Sequence, residues 1–130
     1  AYGGLPGSIT YAAQAGRYTK VGNLVTAYVY ISVANQTTGT GAITITGLPY
    51  VAHASGPYAS CTFGQLYQFD TDSSVSGSQP SDLYGQVAGD TAIIGLYVNL
   101  DDVIWVSLKG TAINSANCGV MVAVTYVTNS

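Results

Sequence analysis

From Leu24 to Val33 the chain alternates without a break: Val25, Ala27, Val29, Ile31 and Val33 fall on one face, and Leu24, Thr26, Tyr28, Tyr30 and Ser32 on the other. A period of two over ten residues predicts a long β-strand with a purely aliphatic face. The same period recurs along most of the chain. "SITYAA" (8–13) and "RYTKV" (17–21) read as two strands before it, and "GAITITG" (41–47) as one that turns Ile43 and Ile45 inward. "ASCTFGQLYQF" (59–69) is expected to place Cys61, Phe63, Tyr67 and Phe69 on one side. "TAIIGLYV" (91–98) and "GVMVAVTYV" (119–127) are apolar almost throughout, and "DVIWVSLKG" (102–110) sets Ile104, Val106 and Leu108 against Val103, Trp105 and Ser107.

The connections carry Gly, Pro, Asn, Asp and Ser: "NQTTGTG" (35–41), "YVAHASGP" (50–57), "DTDSSVSGSQPSD" (70–82) and "NSANCG" (114–119). These residues favour turns through positive φ, fixed φ or side-chain bonds to their own backbone. No segment holds a 3.6-residue apolar period long enough for a helix. Eight or nine short strands predict an all-β chain, a single-domain antiparallel β-sandwich of jelly-roll type spanning 8–130. Residues 1–7, in the Gly- and Pro-rich "AYGGLPGS", read as a linker, and the start at Ala1 reads as a processed chain or one cut from a longer protein.

Composition changes this picture in one respect. Only 7% of the 130 residues are charged, glutamate is absent, and the mean hydropathy is +0.30. Such a chain is more apolar than a free soluble monomer needs to be, yet no run approaches the roughly 18–20 apolar residues of a membrane-spanning helix. The excess is expected to be buried between copies, because obligate interfaces resemble a core cut in half. Leu24, Tyr28 and Tyr30, on the face of their strand that a sandwich leaves outside, and the mid-strand Trp105 are the expected contact residues. Three cations, a net charge of −3 and a pI near 4.4 exclude the basic footprint that nucleic acid or an anionic membrane requires.

Candidate chemistry is sparse. His53 stands near Ser55, but "YVAHASG" has no nucleophile-elbow pattern, so it reads as a binding or structural histidine. "DTDSS" (70–74) opens like a calcium loop and then lacks the later acids and glycine, so neither a metal nor another cofactor is expected. Asp70, Asp72, Asp101 and Asp102 form two acidic pairs that could meet as a cation site or as the paired carboxylates of a glycosidase, though aspartate in a turn is ordinary. Tyrosines beside the long loops are better placed for an outside ligand: Tyr50, Tyr58 and Tyr84, with His53, Asp70 and Asp72, are the candidate binding residues. Cys61 and Cys118 can be bridged or free. "GRYTKVGNLVT" (16–26) is no phosphate loop, since Lys20 precedes Gly22 and a strand follows; Gly22-Asn23 reads as a hairpin turn.

"GRYTKVGNLVT" and the later "ITGLPY" (45–50) resemble a pattern in bacteriophage tail-fibre and receptor-binding tip proteins, G-x-Y-T-[KR]-[IV]-G-N-x-V followed by G-L-P. Tyr18, Thr19, Lys20, Gly22, Asn23, Gly47, Leu48 and Pro49 match it, over about 35 residues. The resemblance implies a homotrimeric β-sandwich head at the tip of a fibre in an extracellular virion, with residues 1–7 as the end of its shaft. Its partner would be a host cell-surface polysaccharide or outer-membrane receptor, touched by loops 50–58 and 70–84, without catalysis. Three alternatives compete: a trimeric C1q/TNF-like domain after "GLPGS", a capsid decoration or spike protein, and a polysaccharide depolymerase using the paired aspartates.

Overall fold

The computed structural model describes residues 8–36, 39–56, 58–70, 76–78, 82–102, 104–113 and 118–129. They form eight strands: β1 (Ile9–Val21), β2 (Leu24–Gln36), β3 (Thr44–Thr46), β4 (Ala59–Tyr67), β5 (Leu83–Val87), β6 (Ile93–Val98), β7 (Val106–Ser107) and β8 (Gly119–Val127). All pairings are antiparallel, in the order β1-β2-β8-β4-β5-β6-β3, with β7 beside β6. A short 3-10 segment, Gly110–Ala112, lies between β7 and β8.

The sheet folds over on itself at β4. Ala59 and Ser60 pair with β5, while Cys61 to Tyr67 pair with β8. One strand thus belongs to two leaves: β1-β2-β8-β4 in front, and β5-β6-β3 with β7 behind. This is a β-sandwich made from one bent sheet, and the chain changes leaf at β2–β3, β3–β4, β4–β5 and β7–β8 in jelly-roll fashion. The strand order begins at β1 and ends at β3, and these two edges do not pair. The barrel therefore stays open along a β1/β3 seam.

Between the leaves lies the aliphatic face expected from the alternation. Val25, Ala27 and Val33 of β2 and Val120, Val122, Val124 and Tyr126 of β8 pack against Val87, Ile94, Leu96, Val98, Leu108, Ile43 and Ile45. Full burial of a Val, Leu or Ile side chain stabilises by about 1.5–3 kcal/mol, so this layer dominates the fold's energy. At the hairpin, Gly22 takes φ 61°, which suits a glycine at the first position of a two-residue turn. The Lys20 ammonium donates to the Gly22 carbonyl at 2.7 Å, and the Thr128 N–H donates to the Asn23 carbonyl at 2.8 Å.

Several local expectations need correction. The segments 8–13 and 17–21 are one strand, β1, which passes through register shifts between Thr10 and Ala13. A shift between Phe63 and Gln65 turns Leu66 inward opposite Val120 and Tyr67 outward opposite Gly119, so Tyr67 leaves the side of Cys61 and Phe63. One extra residue reverses the facing of all that follow it. In the segment 102–110 the only strand among the described residues is Val106–Ser107, followed by an isolated bridge from Lys109 to Ala42, and Ile104 is 82% exposed. Tyr84 belongs to β5 and not to a loop. That strand alternates Leu83, Gly85 and Val87 inward, and Gly85 has no side chain because Cys61 and Phe63 fill its place: a Cβ there would lie 3.2 Å from the Cys61 Cβ.

Candidate functional site

The candidate residues separate by position. At the end of the sandwich that carries the Gly22-Asn23 turn, His53 and Tyr58 line one hollow, while the Tyr50 ring turns to β1. Asp70 follows β4 at the opposite end, where its N–H donates to the Ala112 carbonyl at 2.8 Å. Asp72 lies outside the described residues. Tyr84 sits on the outer face of the rear leaf, stacked on Tyr97 with centroids 5.5 Å apart, and Tyr97 meets Trp105 edge-on at 4.9 Å. Among the described residues no three His, Cys, Asp or Glu side chains gather as a metal site would require.

Segment 50–53 is held at the turn end by backbone bonds on both sides. The Ala52 N–H donates to Thr91 and the His53 N–H to Val127, each at 2.8 Å, while the Asp90 N–H donates to Ala52 at 3.0 Å. The buried Tyr126 hydroxyl donates to the Tyr50 carbonyl at 3.0 Å and accepts from the Tyr50 N–H at 3.3 Å. A core phenol thereby satisfies its polar tip and fixes Tyr50 together. Gly89 packs so closely on this segment that a Cβ would lie 2.6 Å from the Ala54 carbonyl oxygen.

The Tyr50 ring then meets β1. Tyr18 approaches it edge-on with centroids 5.8 Å apart, and the Lys20 ammonium lies 5.3 Å from its centroid. The hydrogen bond with Tyr50, followed by the unfavourable pairing of two phenolates, raises the Tyr18 phenol above its ordinary value. Tyr18 and Lys20, which match the scaffold pattern, are thus part of the aromatic cluster, on the face of β1 beside Val25 and Ala27. The His53 Nδ1 accepts the Ser55 N–H at 3.1 Å, with the Ser55 hydroxyl at 3.3 Å. That lone pair is occupied by a backbone donor, so the ring is not set to deprotonate the Ser55 hydroxyl. His53 and Tyr58 line a small hollow of about 150 Å³ with Leu24, Thr125 and Val127.

The expected subunit-contact residues divide likewise. Leu24, Tyr28 and Tyr30 share the outer face of the front leaf, whereas Trp105 stands on the rear one. On the front face Val21 is 73%, Tyr28 56%, Leu24 45%, Met121 43% and Val127 42% exposed. Between Tyr28, Tyr30 and Met121 the face dips into a depression of about 390 Å³ over Gly64, Ala15 and Ala123. Arg17 also lines it, and elsewhere on this face Thr26 pairs with Thr125 at 3.1 Å and Ser32 with the Tyr67 hydroxyl at 3.0 Å. Tyr67 reaches Ser32 by lying across Gly119, where a Cβ would come within 2.4 Å of its ring. Tyr67 also holds the Tyr30 phenol above its ordinary value through a hydrogen bond.

Both cysteines are free thiols; burial pushes Cys61 up to about 12 and raises Cys118 as well. Comparison with protein-family models, curated proteins and solved structures returns no match.

Proposed function

We propose that this chain is the receptor-binding head of a bacteriophage tail fibre: a homotrimeric, non-catalytic virion protein that attaches the particle to host cell-surface glycan. The observation that carries the reading is the front-leaf face, where Val21, Leu24, Tyr28, Met121 and Val127 stand exposed on a chain with only three basic side chains. An apolar patch of this kind calls for a partner, and a second and third copy would cover it with the same surface chemistry. The tail-fibre pattern in 16–26 and 45–50 supports the assignment, since its residues build the β1–β2 hairpin and the start of the Tyr50 segment. The His53 geometry favours adhesion over hydrolysis.

Light scattering at micromolar concentration tests the assembly, and a mass of three chains is expected. A compact monomer of 13.4 kDa would remove the reading's physical basis. Binding of the purified protein to bacterial cells, abolished by oxidising their surface polysaccharide with periodate, tests the adhesive role.

A further inference from the structure

The seam between β1 and β3 holds a cavity of about 300 Å³ lined by Tyr11, Gln14 and Gly16 of β1, Val29 and Ile31 of β2, and the 44–48 segment. From this we infer that the seam, rather than the long loops, seats a linear glycan chain. The inference rests on the adhesive reading above and assigns it a site.

Four features argue for a sugar. The cavity is of the size at which ligand sites begin. Its floor is aliphatic, because Gly16 pairs with Val29 and leaves that side chain without cover from β1, and Ile31 beside it is half-buried. Its walls are polar: the exposed Gln14 amide, the Tyr11 phenol, and the edge of β3 that faces away from β6. Alternating apolar and hydrogen-bonding surface is what a pyranose ring presents in return. Beyond Gly16, the same face of β1 runs on to Tyr18 and Lys20, whose contacts with Tyr50 put an aromatic and cationic stop at the turn end of the seam.

A strand from a second copy is the rival occupant. On the β3 side it has little to pair with, since β3 offers three residues before Gly47 turns the chain with φ 94°, and such short edges resist strand addition. The β1 edge is continuous from Ala13 to Val21, so the test below includes this occupant.

The test is binding of the intact protein to a printed array of bacterial capsular and O-antigen oligosaccharides. Three variants accompany it: Gln14→Ala, Gly16→Gln and, as a loop control, Tyr58→Ala. Gly16 tolerates a side chain, since a Cβ would meet only the Tyr28 carbonyl oxygen at 3.5 Å, so Gly16→Gln fills the seam without refolding it. Thermal melting of each variant checks this. The expected result is a glycan bound by wild type and Tyr58→Ala alike, with a loss of about tenfold or more in the two seam variants. Binding lost in Tyr58→Ala and kept in both seam variants overturns the seam assignment and leaves the adhesive reading standing. A change of oligomeric mass in Gly16→Gln with glycan binding intact gives the seam to a second copy and overturns it too. A wild type that binds no glycan while binding cells overturns the glycan seat and points the head to another receptor.

Discussion

The two sides of the β1–β2 hairpin make opposite use of the same strands. Outward, Val21, Leu24, Tyr28 and Met121 form a largely apolar surface beside Arg17, on which Thr26 is bonded to Thr125 and Ser32 to Tyr67. Toward the seam, the same hairpin offers Tyr11, Gln14, Tyr18 and Lys20 over a half-buried floor. Hydroxyls that already bond to one another lose less on being dried by another copy, whereas a surface with polar walls suits a hydroxylated ligand. The contrast follows from period two: residues one apart in sequence are sent to different partners.

Substitution can break each side separately. The largest effect is expected from Leu24→Lys with Tyr28→Lys, which puts two charges on the outer face. Association should weaken on the order of 100-fold or more, read by sedimentation at falling concentration, with seam binding per chain retained. Next comes Gly119→Ala, where the new Cβ has to displace the Tyr67 ring and part it from Ser32. A destabilisation of about 1–3 kcal/mol is expected in urea; an unchanged midpoint would mean that the outer hydroxyl cluster contributes nothing. Tyr126→Phe removes the bonds to Tyr50 and should cost about 1 kcal/mol, with a change in near-ultraviolet dichroism as Tyr50 loosens. Lys20→Met, which deletes the contact over Tyr50 and the bond to Gly22, should cost about 0.5–1 kcal/mol. A smaller effect concerns alkali. With Cys61 raised from 9.0 to about 12 by burial, the unfolded chain loses its proton first, so stability should fall as pH rises between those values. In Cys61→Ala the decline should be shallower.

Much of the fold was legible because alternation is local. The inward set of β2 and that of β8 follow from counting by two, and the Gly22-Asn23 turn from residue type. What escaped were the register shifts at 10–13 and 63–65, since nothing in "FGQ" announces that Gly64 is extra. β5 escaped because Gly85 empties the middle of its apolar face. Tyr50 was found as a candidate, but its partners Tyr18 and Lys20 are some thirty residues away, and a ring contact at that separation leaves no trace in spacing. The seam was invisible for a deeper reason. Whether the last edge of a sheet meets the first depends on strand number, tilt and stagger together, and the mid-strand Gly16 was the single hint.

The position of β8 has a consequence in time. It lies between β2 and β4, and Thr26 bonds to Thr125 across 99 positions of sequence. During synthesis the front leaf has no centre until β8 leaves the ribosome, and β2 waits with its aliphatic face open. Contacts of such long range slow folding and prolong that exposure. The front leaf therefore closes in one late step, because β2 and β4, made long before, have only β8 to join them.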